Sequence, residues 1–171
     1  MGASLNPHRS KQNYATPEAS VVSAKRRLGI DRFEHDFAAD QFNAKALTYF
    51  DEARDALSVP DWHTYIEGGW GWLNPPYTDI DPWARRCKEL KWRHGGSIAF
   101  LVPASVGSNW FRDHVDGHAR VLLLNGRIPF IPDKPTWLYP KDCILCLYSP
   151  DVLHGYEVWD WRKEQAGRRV A

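Results

Sequence analysis

Apolar runs alternate with amphipathic stretches along this chain, a pattern that predicts strands interleaved with helices. Residues 97–103 (SIAFLVP) form a continuous apolar run, as expected of a parallel strand buried on both faces. Residues 119–124 and 142–148 read as two more apolar strands. A short strand is predicted within residues 33–40, running into small residues, and another at 48–50 after a helical segment around 43–47. Residues 82–92 read as a helix with Asp81 as N-cap and Pro82 at its first position. A shorter helix spans 109–115. Near the start, Thr16 reads as an N-cap and Pro17 as the first residue of an amphipathic helix that Gly29 closes. The order predicts an α/β domain with a mostly parallel sheet. Ligands bind such sheets beyond the carboxyl ends of the strands. Asp36 to Ala39, Asn74 to Tyr77, and Pro103-Ala104-Ser105 all fall just after strands and are expected along one edge.

One of these segments carries distinctive chemistry. Asn74-Pro75-Pro76-Tyr77 follows the apolar Trp70, Trp72 and Leu73. Adjacent prolines fit neither a helix interior nor a central strand, so the chain must turn there. The corner offers the Asn74 side-chain oxygen, the Pro75 carbonyl and the Tyr77 ring, and no nucleophile. That set suits a planar aromatic amine. Asn and Pro are also ordinary turn residues, so the four residues alone equally admit a plain surface turn.

Composition narrows the class. The 171 residues, 43% hydrophobic and 25% charged, suffice for one globular domain with a buried core. A net charge of +1 leaves nucleic-acid contacts to local clusters: Lys25-Arg26-Arg27, Arg85-Arg86, or Arg162-Lys163 with Arg168-Arg169. No apolar run approaches a bilayer span, and no signal-peptide core is evident, so a cytoplasmic protein without membrane attachment is expected. Cys143 and Cys146 have CxxC spacing but sit in an apolar strand without a second pair, so neither a metal site nor a disulfide is expected. Nine Trp are the compositional oddity, most of them expected in packing.

In order along the chain, Tyr14-Ala15-Thr16-Pro17, Asp36-Phe37-Ala38-Ala39 and Asn74-Pro75-Pro76-Tyr77 are motifs shared with a known family. Asn43-Ala44-Lys45, Asp55-Ala56-Leu57, Asp61-Trp62, Leu101-Val102-Pro103-Ala104, Trp110-Phe111 and Gly126-Arg127-Ile128-Pro129-Phe130 continue the pattern. Over roughly residues 14 to 150 the chain resembles the phage-type DNA N6-adenine methyltransferases (Dam-like). The resemblance implies a compact Rossmann-like fold, S-adenosylmethionine as methyl donor, and DNA as partner, either duplex with a flipped adenine or single-stranded. It implies Asn74, Pro75, Pro76 and Tyr77 as the catalytic corner, with Tyr77 and Phe130 stacking on the target base. Thr16 and Pro17 would lie near the donor's methionine end, Asp36 with Ala38 would sit under it at the tip of the first strand, and Tyr14 would also bind the cofactor. Asp55 would approach its adenine, and Asp51 its ribose, with Glu52 a close competitor. The Gly-rich turn usual in methyltransferases is replaced by Ala38-Ala39. The 38 residues from Asp36 to Asn74 leave room for only compressed second and third strands.

The chemistry follows from residue types. Adenine's exocyclic amine is a poor nucleophile, because its lone pair is delocalised into the ring. Two acceptors that hold both its protons favour a pyramidal nitrogen aimed at the methyl group, and transfer is a direct in-line displacement. A base inside a duplex cannot reach such a corner, so it must be flipped out or already unpaired. The corner itself leaves other planar amines open: cytosine N4, RNA adenine or a glutamine amide. A degenerate, non-catalytic nucleic-acid-binding fold is the alternative outside enzymes. The expected organisation is an N-terminal segment over 1–13, a methyltransferase domain over 14–159 and a charged tail over 160–171. Target specificity is expected from loops, chiefly 131–140 and also 64–69.

Overall fold

The computed structural model describes residues 15–130 and 139–165. Its strands are β1 (Phe33–Asp36), β2 (Ala46–Tyr49), β3 (Trp70–Leu73), β4 (Ser97–Pro103), β5 (Arg120–Leu124), β6 (Cys143–Tyr148) and β7 (Gly155–Trp159). The helices are α1 (Glu18–Leu28), α2 (Asp81–His94), α3 (Asn109–His114) and α4 (Trp161–Gln165). One seven-stranded sheet has the order β2-β1-β3-β4-β6-β5-β7. Every pairing is parallel except those of β6, which runs antiparallel to both β4 and β5. The mixed α/β, mostly parallel architecture is consistent with the expected Rossmann-like fold.

β4 shows why its apolar run forms a central strand. Ile98, Phe100 and Val102 enter one core cluster, while Ala99 and Leu101 enter the cluster on the opposite face. The two-residue period of a strand requires this, and all seven positions are buried. The same period separates the cysteines of β6: Cys146 lies in the first cluster and Cys143 in the second. The CxxC spacing on a strand therefore directs the two thiols to opposite faces. Burial pushes the Cys143 thiol up to about 12, and the Cys146 thiol is raised as well, so both remain neutral.

Several expectations are corrected. Residues 43–47 are not helical. The Asp40 carboxylate accepts from Phe42 N at 2.7 Å and Asn43 N at 3.1 Å, closing a turn, and β2 then begins at Ala46. Side-chain capping of backbone N–H groups competes with helix formation here. Between β1 and β3 there is one strand, β2, followed by 3-10 turns at Ala56–Ser58 and Trp62–Tyr65. The compressed second and third strands expected between Asp36 and Asn74 are thus β2 and β3, of four residues each. Thr16 and Asp81 are not N-caps. Pro17 occupies that position in α1, with ψ at 139°, and Ile80 does so in α2, leaving Asp81 in the first turn. An aspartate there faces the positive end of the helix dipole. β7 was not anticipated. It is an edge strand in which exposed Tyr156 and Val158 alternate with more buried neighbours, and Glu157 pairs with Arg27 and Arg120.

The carboxyl ends of β1, β2, β3, β4 and β5 share one edge of the sheet. The start of antiparallel β6 reaches the same edge, where Cys143 pairs with Pro103. Residues 37–45, 74–80, 104–108, 125–130 and 139–142 therefore rim a common face. α1 begins at this face as well, because a Thr16–Asn74 hydrogen bond ties its start to the end of β3.

Candidate active site

β3 ends at Leu73, which is wholly buried, and the prolines then fix the turn that presents Asn74 and Tyr77. Asn74 is half-buried and both ends of its amide are engaged. Its Nδ2 donates to Thr16 Oγ1 at 2.9 Å. Its Oδ1 accepts from the Tyr77 hydroxyl at 2.5 Å. Pro75 is buried and Pro76 exposed. The Tyr77 ring packs 5.4 Å from Tyr139 and 6.4 Å, edge-on, from Phe130. Phe130 is itself only 2% exposed and meets Tyr139 at an interplanar angle of 89°. Burial raises the Tyr77 phenol well above its ordinary range, so it is a neutral donor towards Asn74. The corner thus holds an amide acceptor occupied by a hydroxyl from its own chain, within a three-ring aromatic cluster. Tyr139 belongs to this cluster and the sequence reading did not include it. The available signal was an aromatic among the prolines of the loop before β6.

The loop after β1 is organised differently. Asp36 is 2% exposed, and its two oxygens accept from Ala38 N at 3.1 Å and Lys45 N at 2.9 Å. Phe50 N donates to Asp36 O, and Ala39 N to Phe50 O, each at 2.9 Å, so the loop is clipped to the end of β2. Burial pushes the Asp36 carboxyl up to about 6, outweighing the two N–H bonds and Lys45 that pull it down. Among the described residues the one non-glycine with positive φ is Glu67. Ala38-Ala39 therefore needs no left-handed backbone, and alanine suffices where glycine was expected.

Next to Asp36, His35 is buried against Phe37, Phe50 and Tyr65. Its Nδ1 lies 2.8 Å from Thr48 Oγ1, which donates its own proton to Glu34 O. Nδ1 must then carry the imidazole hydrogen, which leaves Nε2 as a bare buried acceptor without a partner among the described residues. Burial, helped by the Arg54 charge, lowers His35 to about 4, so it is neutral.

Asp51 follows β2 directly beyond its carboxyl end, the place where an α/β sheet offers a carboxylate to a ribose. Its Oδ1 caps Arg54 N at 2.9 Å and the residue is exposed. Asp55 is exposed too, and its Oδ1 caps Leu57 N at 3.0 Å. Each of these bonds engages one carboxylate oxygen. A ribose diol or an amine fits the donor chemistry that remains, whereas Asp36 has both oxygens committed to backbone. Glu52 is exposed beside them.

Of the remaining candidates, Tyr14 lies outside the described residues, as do residues 131–138 of the proposed specificity loop and Arg168-Arg169. Pro17 begins α1, where its carbonyl accepts from Ser20 and Val21. Residues 64–69 enter β3 from its amino end, opposite the corner, so this loop does not join the site rim. Two basic clusters are engaged internally. Arg26 donates to Glu164 O, Arg27 pairs with Glu157, and Arg86 donates to the carbonyls of Val59 and Pro60. The rim instead holds an open cavity of about 280 Å³ lined by Ala104, Ser105, Arg127, Pro140, Lys141 and Asp142. Arg127 pairs there with Asp142 at 3.1 Å, with both side chains largely exposed. Among the described residues no helix is long and apolar enough to cross a membrane, and no group of three His, Cys, Asp or Glu is placed to hold a metal.

Residues 3–137 match the family described as DNA N-6-adenine-methyltransferase (Dam). A DNA N-6-adenine-methyltransferase of Haemophilus phage HP1 (strain HP1c1) is 26% identical over 149 residues, covering 85% of this chain and 83% of the phage protein. One from Escherichia phage T1 is 24% identical over 123 residues, covering 69% of this chain and 47% of its own.

Proposed function

The chain belongs to the DNA N-6-adenine-methyltransferase family, and on that premise we propose that it methylates the exocyclic amine of adenine in DNA at the Asn74-Tyr77 corner. The observation that carries this reading is the Tyr77–Asn74 hydrogen bond, in which Asn74 Oδ1 accepts a proton at the rim of the sheet. An adenine amine is a donor of the same kind. It replaces the Tyr77 hydroxyl on Oδ1 and donates its second N–H to the Pro75 carbonyl. Tyr77, released from Asn74, keeps its ring against the base, and stacking of this kind contributes about 1–3 kcal/mol per base. That is comparable with the few kcal/mol of taking the base out of the helix. Phe130 lines the other face only when its packing on Tyr77 and Tyr139 opens.

S-adenosylmethionine, when bound, supplies a methyl group on a positively charged sulfonium. Asp51 is the residue proposed for its ribose, at the end of β2, and Asp55 for its adenine amine. Asp36 contributes by holding the loop of Ala38-Ala39 against β2. Neutral Asn74 accepts a hydrogen bond from the amine without placing a full charge beside the sulfonium, and the proton that the amine loses on methylation passes to solvent. The protein's part in the reaction is therefore positioning, and it needs no covalent intermediate.

Expression in cells lacking adenine methylation, followed by nucleoside mass spectrometry of their DNA, tests this reading. N6-methyladenine is the expected product. N4-methylcytosine, or no methylated base at all, overturns it.

A further inference from the structure

Thr16 is 3% exposed, yet its hydroxyl reaches Asn74 Nδ2 at 2.9 Å across 58 residues of sequence. It is not an N-cap, so the helix start does not account for the placement of its hydroxyl. The chemistry of Asn74 does. An amide side chain has two ends of nearly equal size, one accepting and one donating. Only the accepting end serves an adenine amine. The reversed amide would set its own NH2 against that of the base.

Thr16 and Tyr77 meet Asn74 through hydroxyls, and a hydroxyl can donate or accept. Those two hydroxyls therefore satisfy either orientation until the base arrives. Once a donor-only amine takes the place of the Tyr77 hydroxyl, Oδ1 must face the base. Nδ2 then needs an acceptor on the other side, and the half-buried site makes an unmet N–H costly. Thr16 Oγ1 is that acceptor.

We propose that Thr16 is a positioning residue for methyl transfer, fixing the Asn74 amide with its oxygen towards the target amine. This inference rests on the assignment of Asn74 as the amine acceptor. It gives Thr16 a role on the target side of the site, distinct from the cofactor contact that the resemblance implies.

The test compares Thr16→Val and Thr16→Ser with wild type in single-turnover methyl transfer, alongside S-adenosylmethionine affinity by calorimetry and thermal unfolding. Valine keeps the branched shape without the hydroxyl, and serine keeps the hydroxyl. The expected result for Thr16→Val is a transfer rate about ten- to hundredfold lower, with cofactor affinity unchanged. Thr16→Ser is expected to restore the rate to within about threefold of wild type. A Thr16→Val rate equal to wild type overturns the proposal. So does loss of cofactor affinity in proportion to the rate, which returns Thr16 to the cofactor side. Failure of the serine variant to rescue, at wild-type stability, overturns it as well. Asn74→Ala in the same assay separates the two levels. If Asn74→Ala is fully active, the site assignment itself fails. If Asn74→Ala is inactive while Thr16→Val is unimpaired, only the role of Thr16 fails.

Discussion

The corner after β3 and the loop after β1 sit side by side on one sheet edge, and they use hydrogen bonds in opposite ways. At the corner, Asn74 is held by the hydroxyls of Thr16 and Tyr77, groups that a ligand can displace or reorient around. In the loop, Asp36 is held by the backbone N–H groups of Ala38 and Lys45, which no ligand can replace without unfolding the turn. The difference teaches where chemistry is carried. Exchangeable side-chain bonds at a rim mark a place where a substrate can enter. Buried carboxylate-to-backbone bonds mark scaffold, even within a motif shared with methyltransferases.

The largest effect expected to sharpen this contrast is on stability, through pH. Asp36 has its folded pKa raised from 3.8 to about 6, so its contribution is fully present below pH 3.8 and is lost as pH rises through about 6. His35 has its folded pKa lowered from 6.5 to about 4, so its contribution is present above pH 6.5 and is lost as pH falls through about 4. These neighbours have opposed slopes in one window and nearly cancel. Each alone amounts to about 3 kcal/mol, at 1.36 kcal/mol per pKa unit. In urea titrations, Asp36→Asn should therefore gain about 3 kcal/mol between pH 4 and pH 7, with His35 unopposed. His35→Gln should lose about as much over the same range. Parallel pH profiles for the two variants and wild type would contradict the assignment of the loop as scaffold.

At the corner, Tyr77→Ala should lower kcat/KM for DNA by about 5- to 150-fold, the equivalent of one lost stacking contact. Cofactor affinity should not move. A comparable loss of cofactor affinity would blur the separation of the two regions. Asp51→Ala should show the reverse pattern. S-adenosylmethionine binding by calorimetry should weaken about tenfold, as expected for one hydrogen-bonded charged group, with thermal stability nearly unchanged. The smallest effect is expected for Tyr77→Phe. The substitution removes only the hydroxyl's bond to Asn74 Oδ1 while the ring stays, so activity should remain within about threefold of wild type. A loss as large as that of Tyr77→Ala would mean that the hydroxyl itself takes part in the reaction.

Much of this was legible in the chain. The Pro75-Pro76 pair forces a turn wherever it occurs, and the apolar run of β4 can only be central, so the corner and its sheet could be placed from sequence. The family resemblance supplied the methyl donor and the target base, which four turn residues alone do not specify. What sequence missed arises from contacts distant along the chain. The hydroxyl of Thr16 meets Asn74, 58 positions away, while local spacing made it look like a helix cap. Tyr139 joins Tyr77 and Phe130 only because antiparallel β6 begins at the same edge. Asp40 and Asn43 close a turn where periodicity suggested a helix, since local side-chain capping outweighed a weak helical pattern. The burial of Asp36 and its two backbone partners, Ala38 and Lys45, are likewise not legible in the motif that it shares with the family.

The central claim is that Asn74 receives the target amine, and one measurement addresses it most directly. Equal amounts of purified wild type and Asn74→Ala, with saturating S-adenosylmethionine, are incubated with the same DNA, and N6-methyladenine is quantified by nucleoside mass spectrometry. The account predicts N6-methyladenine from wild type and at least about a hundredfold less from Asn74→Ala, the scale of loss when a reacting group is misplaced, with S-adenosylmethionine affinity and unfolding temperature preserved. Undiminished N6-methyladenine from Asn74→Ala would contradict it.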